Sequence, residues 1–295
     1  MTKNRSRLAL IAAVTVYILW GFTFLASAVG QKYATPFVLL AYRFDTAALL
    51  MALPLMLGRE KLSLRGKNLK TLLLLGLMEP CLYFIGEQYG VRYTNSAFSG
   101  VIIAVIPIIT LILSALILKE RPSIGQWLFS LLSIAGIVAI TLSEQGEGEV
   151  SIKGVAFLIG AVAAGSAFTV LSRRTSDDYT VYERTFIMQV MGAVFFTLLA
   201  LIENRGDPAA ILAPAAHSDF VLAVLFLSVF ASVIGYTLIN YAIAYAPVAK
   251  VVILVNLTTV ISVIAGVVFL GDPFSAVSAV SMLAVLIGIW GVQKF

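Results

Sequence analysis

Residues 8–29, Leu-Ala-Leu-Ile-Ala-Ala-Val-Thr-Val-Tyr-Ile-Leu-Trp-Gly-Phe-Thr-Phe-Leu-Ala-Ser-Ala-Val, run on without one charged side chain. A helix needs roughly 20 mostly apolar residues to cross the hydrocarbon of a bilayer, so this stretch is long enough to span. It is too long for the apolar core of a cleaved signal peptide, and Trp20-Gly21-Phe22 stands where such a core should already be ending. The expectation is a retained membrane helix.

Nine further segments of the same kind follow. The ten predicted spans are Leu8–Val29, Pro36–Leu57, Leu69–Gly90, Ser96–Leu118, Ile124–Leu142, Ile152–Leu171, Val181–Ile202, Phe220–Ala242, Val248–Leu270 and Phe274–Val292. Of the 295 residues, 60% are hydrophobic and 12% charged, against about 45–50% and about 25% in soluble domains. A transmembrane β-barrel would alternate over short segments, whereas these runs are continuous. The expected fold class is an all-α integral membrane protein with ten transmembrane helices.

The net charge of +5 sorts by side of the membrane and gives no reason to expect a nucleic-acid partner. Lys3, Arg5 and Arg7, then Arg59, Lys61, Arg65, Lys67 and Lys70, then Lys119 and Arg121, Arg173 and Arg174, Lys250 and Lys294 share one side. The other side holds Lys32, Arg92, Lys153 and Arg205. The positive-inside rule then places both termini in the cytoplasm of a multi-pass cell-membrane protein, with the acidic loop Glu144, Glu147, Glu149 outside.

The chain also repeats. At an offset of 152, Ile117-Leu118-Lys119-Glu120 falls on Phe269-Leu270-Gly271-Asp272, Ser123 on Ser275, Gln88-Tyr89-Gly90 on Asn240-Tyr241-Ala242, and Tyr93 on Tyr245. This divides the chain into two five-helix repeats, 1–143 and 152–295. Five is odd, so the second copy enters the membrane inverted, the arrangement of secondary transporters that bind substrate between their halves.

Ionisable side chains inside a span cost about 2.5–3.5 kcal/mol each on insertion scales and so point to function. Glu79, Tyr83 and Glu87 stand four apart in the third span, which predicts one polar stripe. Such a stripe can bind a cation or exchange a proton; its alternative is a structural pairing with Arg43. Arg43 itself could hold a substrate carboxylate or pair with an acid such as Glu87, the structural role being favoured because an unpaired buried charge is costly. Asp45, two residues on, cannot share its face and is placed on another interface. Tyr236 and Asn240 fall on Phe84 and Gln88 by the repeat; with Gln189 and Asn256 they read as ligand-binding or interhelical glue. Trp20 lies too deep for an interfacial belt and reads as a cavity wall suited to an amine or as core packing.

Pro80 and Pro107 predict kinks that free a carbonyl. Ser96/Gly100 and Ala284/Gly288 predict close helix crossings. One cysteine, Cys81, and one histidine, His217, leave no disulfide and no Cys/His metal cluster. No P-loop, His-Glu-x-x-His or nucleophile-elbow motif occurs, so no catalytic residue and no cofactor is expected.

These features resemble the EamA-type branch of the drug/metabolite transporter superfamily across nearly the whole chain. The resemblance rests on Trp20-Gly21-Phe22-Thr23-Phe24, Arg43-Phe44, Glu79-Pro80 with Tyr83-Phe84 and Glu87, Pro107, and Leu118-Lys119-Glu120-Arg121-Pro122. The second repeat departs from the pattern with Thr259 at the counterpart of Pro107 and Leu270-Gly271-Asp272 in place of a Leu-Gly-Glu ending. The resemblance implies two inverted five-helix repeats, cytoplasmic termini, and transport of small metabolites, often export of amino acids or related compounds, by alternating access.

The expected function is secondary transport of an amino acid, amine or related amphipathic compound, with Trp20, Arg43, Glu79, Tyr83, Glu87, Gln189, Tyr236, Asn240 and Asn256 lining the site. The expected partners are that small molecule, protons as coupling ion, and the bilayer; monomer and homodimer stay open. Two alternatives have other signatures. A membrane-embedded enzyme acting on a lipid, with Glu79 or Glu87 as acid or base, would turn over in detergent without a gradient. A non-transporting scaffold would lack a water-accessible cavity.

Overall fold

A computed structural model describes residues 3–94, 96–143, 151–270 and 275–295. Among the described residues ten helices are long and apolar enough to span a membrane: α1 Asn4–Gly30, α2 Pro36–Met56, α3 Leu69–Tyr93, α4 Phe98–Leu118, α5 Ile124–Leu142, α6 Ile152–Thr175, α7 Val181–Glu203, α8 Ser218–Tyr245, α9 Val248–Phe269 and α10 Ala276–Lys294. The regular structure among the described residues is helical throughout. The expected fold class is therefore the observed one, with ends displaced by a few residues. Glu144, Glu147, Glu149, Gly271, Asp272 and Phe274 lie outside the described residues.

Local sequence sets several helix starts. Thr35 caps α2 just ahead of Pro36, where proline's missing N–H costs nothing. Ser151 caps α6 and Ser275 caps α10. Thr180 and Glu183 close a reciprocal capping box at α7. The burial pattern then fits a lipid solvent: Leu49, Leu116 and Ile124 are 71%, 73% and 79% exposed, while Arg184, Gln189 and Asn240 are fully buried. In water that distribution would be costly; in hydrocarbon the apolar side chains meet their preferred surroundings and the polar ones must face one another.

The helices pair by the repeat. The most extensive contacts are α5 with α10 and α2 with α7, each helix against its own counterpart. The first helix of each half packs into the other half: α1 lies on α8 and α9, and α6 lies on α3 and α4. Residues 152 apart touch each other directly. Phe44 and Phe196 stack with ring centres 5.6 Å apart. The Thr197 hydroxyl donates to both Asp45 carboxylate oxygens, at 3.0 and 2.9 Å. A residue can touch its own equivalent only near a rotation axis, so a pseudo-twofold passes through these pairs.

Gly136 and Gly288 mark the α5–α10 crossing. A Cβ on Gly136 would lie 2.7 Å from the Ser281 carbonyl oxygen, and one on Gly288 would lie 2.6 Å from that of Phe129. Since 129 and 281 are also equivalent positions, the crossing is reciprocal and antiparallel, as inversion of one half requires. Gly288→Ala is expected to wedge the pair apart at a cost of about 1–3 kcal/mol, read as a lower unfolding temperature in detergent. Gly160→Ala, which meets open space, is the control and should change little.

The helices also break in register. Widened i→i+5 turns occupy Ser114–Leu118 and Gly266–Leu270, and Leu77–Leu82 matches the end of Phe226–Ile234. The fourth span is interrupted between Ile103 and Ile106, just before Pro107. Its counterpart α9 tightens over Ile253–Val255, although Thr259 replaces the proline. The irregular turn of α9 thus forms without a proline at position 259.

Candidate functional site

Helix α3 is interrupted where the repeat units meet. Glu79 adopts extended backbone, φ −143° and ψ 123°, immediately before Pro80. The carboxylate is only 8% exposed, and Oε1 accepts a hydrogen bond from the Tyr236 hydroxyl of α8 at 2.9 Å. One half therefore supplies the acid and the other the phenol.

Around this bond stand aromatic rings. Trp20 meets Tyr236 edge-on at 5.4 Å and Tyr17 at 5.5 Å. Its indole N–H donates to the Ala231 carbonyl at 3.0 Å. Gly235 makes that approach possible, because a Cβ there would lie 2.6 Å from the indole nitrogen.

Arg43 is buried beside them. Its Nε donates to Ser232 Oγ at 2.8 Å, and the guanidinium lies 5.2 and 5.0 Å from the ring centres of Phe44 and Phe84. Among the described residues no carboxylate comes within 4.0 Å of it, so the direct Arg43–Glu87 ion pair weighed from the sequence is not formed. Gln189 joins through the same serine, its Nε2 donating to the Ser232 carbonyl at 3.1 Å. Its Oε1 is buried with no hydrogen-bond partner among the described residues, an acceptor left open inside the cluster.

The expected stripe of Glu79, Tyr83 and Glu87 is split. Tyr83 donates to Glu87 Oε1 at 3.1 Å, as i,i+4 spacing on a regular helix allows. Glu79 turns away to Tyr236, because its extended backbone breaks the helical register between them. The structure thus gathers Trp20, Arg43, Glu79, Gln189 and Tyr236, with the Tyr83–Glu87 pair further along α3.

The two asparagines stand apart. Asn240 accepts from Ser172 Oγ at 2.7 Å and donates to Thr185 Oγ1 at 3.1 Å. Fully buried Arg184 completes this second network, bonding the Ser172 carbonyl, the Ser172 hydroxyl and the Asn240 carbonyl at 2.7, 2.8 and 3.0 Å. Asn256 donates to Ser133 Oγ at 2.8 Å and ties α9 to α5. Sequence reading missed Tyr17, Ser232 and Arg184. Only Arg184 carried a signal, a charge within a span, and beside Glu183 it resembles an ordinary helix-end pair.

Two clefts open elsewhere. One of about 740 Å³ runs between α1, α7 and α8, lined by Leu8, Ile11, Tyr182 and Tyr241 among others. The second, about 480 Å³, is bounded by Ile117, Leu118, Glu120, Arg173, Arg174 and Asp177. Here Glu120 accepts from the Val248 backbone N–H at 3.2 Å. Burial holds its carboxyl above the ordinary range, against the opposing pull of that bond and of Arg173.

The family model for EamA-like transporters matches residues 7–142 and again 152–293. The chain belongs to the EamA-like transporter family. Its similarity to "Uncharacterized transporter YcxC" of Bacillus subtilis (strain 168) is 30% identity, covering 99% of this chain and 94% of that one. An "Uncharacterized transporter" of Archaeoglobus fulgidus is 23% identical, over 97% and 98% of the two chains. A solved structure titled "Crystal structure of protein" shares the fold, with a TM-score of 0.79, 20% identity and 97% coverage of both chains. As an EamA-like protein with ten spans, this is a multi-pass membrane transporter. The double match of the family model falls on the two segments that pack as equivalent helices.

Proposed function

We propose that this transporter carries a small amphipathic metabolite bearing an amine, such as an amino acid or related compound, out of the cell by alternating access, coupled to protons. The repeats 1–143 and 152–295 supply the two units that rock against each other, α1 and α6 each moving with the half it packs into. The charge asymmetry of the loops supports a cell-membrane location with both termini cytoplasmic.

One observation carries the reading. Glu79, at the break in α3, is bonded to Tyr236 across the junction of the halves and walled by Trp20. A carboxylate there can hold an ammonium group, with the rings adding cation–π attraction, or a proton in its stead. Either event changes the Glu79–Tyr236 contact, so occupancy of the site and the relation of the halves are physically linked. A substrate carboxylate would meet Arg43, and Gln189 Oε1 offers a further acceptor. Asn240 and Asn256 contribute by holding helices, since their side chains are engaged with other buried groups. The role is that of a carrier, with no bond made or broken.

Counterflow in proteoliposomes over amino acids, amines and quaternary ammonium compounds tests this. At least one amine-bearing solute is expected to exchange, and an imposed pH gradient is expected to alter its uptake. Exchange of no small solute would remove the transport reading in this form. Exchange indifferent to the gradient would remove proton coupling alone.

A further inference from the structure

A second intramembrane carboxylate lies outside the site. Asp45 sits near the middle of α2, a helix of 21 residues. It is two residues from Arg43, roughly 200° around the helix at about 100° per residue, so it faces away from the cluster. Among the described residues its hydrogen-bonding partner is the Thr197 hydroxyl of α7.

Asp45, Thr46 and Thr197 are all partly exposed. They share their face with Leu49, Val194 and Leu198, which are 71%, 58% and 54% exposed. This is a lipid-facing surface by composition. A carboxylate there confronts acyl chains, which offer no donor, and the hydrocarbon holds no water to replace one. Thr197 has a single hydroxyl proton for two carboxylate oxygens, which leaves acceptor sites open.

We infer that this face of α2 and α7, centred on Asp45 and Thr197, is the contact between two copies of the chain. An isologous dimer presents the same patch from both sides. The second copy then brings its Thr46 hydroxyl toward the open Asp45 acceptors, and Leu49, Val194 and Leu198 pack around the polar centre. In a bilayer apolar side chains gain little by leaving lipid, so polar groups of this kind supply the preference for a partner. The inference is independent of what the protein transports.

The test is cross-linking in native membranes, in a Cys81→Ser background that removes the single cysteine. Leu49→Cys is expected to give a disulfide-linked homodimer when the membrane-permeable oxidant copper(II)-phenanthroline takes up the two thiol hydrogens and electrons, whereas Leu128→Cys, exposed on α5, is not. Adding Asp45→Leu should lower the Leu49→Cys dimer yield, with association weakened about tenfold, while the protein still accumulates. Thr46→Val, which removes the donor that the second copy supplies, is the second variant, with the same fall expected, should Asp45→Leu accumulate poorly. The inference is overturned by no cross-link at Leu49→Cys, by equal cross-linking at Leu128→Cys, by capture of a different protein, or by parental yield in these variants.

Discussion

Glu79→Gln is expected to cut counterflow at least about tenfold while leaving the protein folded. A hydrogen bond to a charged group contributes about 1.5–3 kcal/mol, and about 1.4 kcal/mol is a factor of ten in an equilibrium constant. The amide oxygen still accepts from Tyr236, so the cross-half bond at 2.9 Å has a neutral replacement and the packing around Trp20 need not change. What is lost is the negative charge, and with it the attraction for an ammonium group and the site for a proton. The measurement is counterflow across the accessible pH range, with size-exclusion behaviour as the folding control. A variant that transports like the parent at every pH removes Glu79 from the site. A variant that exchanges substrate but no longer responds to a pH gradient separates proton coupling from binding.

Arg184→Ala should be the most destabilising single change in the second network, costing about 3 kcal/mol. Three hydrogen bonds join Arg184 to Ser172 and Asn240, so the side chain binds α7 to α6 and α8 at one point. Interhelical hydrogen bonds in membranes average about 0.6 kcal/mol and reach about 1.7. Truncation adds a cavity and leaves carbonyls without donors in a place closed to water. Arg184→Met fills most of the volume without the donors, so the difference between the two variants isolates the cavity. Cys81, 1% exposed, is a built-in reporter: its reaction with a thiol dye on heating should begin several degrees lower in Arg184→Ala. An unchanged onset would mean that the helices hold together without this arginine. The site around Glu79 draws on other side chains, so substrate binding below the unfolding range should persist.

Much of this was legible in the sequence for simple reasons. A bilayer demands about 20 apolar residues per crossing, and the ten runs announce themselves. The offset of 152 could be read because equivalent residues occupy equivalent backbone: the same spacing reappears as Phe44 against Phe196 and Asp45 against Thr197. Glu79, Arg43 and Trp20 could be singled out because charge and amphipathic rings at mid-span are rare.

Periodicity misled at one place. Four-residue spacing assigned Glu79 to the stripe of Tyr83 and Glu87, but that rule assumes an unbroken helix, and the backbone at Glu79 is extended. Asn240 and Gln189 looked alike as buried amides. Which one keeps an acceptor open among the described residues, and which is consumed by Ser172, Thr185 and Arg184, depends on neighbours from other helices. Ser232 carried no signal at all, being one serine among many, yet it joins Arg43 to Gln189.

By itself, the sequence determined that the chain crosses a membrane ten times and repeats itself once, because hydropathy and periodicity are properties of the chain taken one segment at a time. Only the tertiary structure decided that the first helix of each half packs into the other half, and that Glu79 meets Tyr236 instead of Glu87 or Arg43. It alone turned Asp45 outward. Those outcomes depend on which side chains of distant segments are brought within a few ångströms, and helix crossings at small residues such as Gly136, Gly235 and Gly288 set those distances.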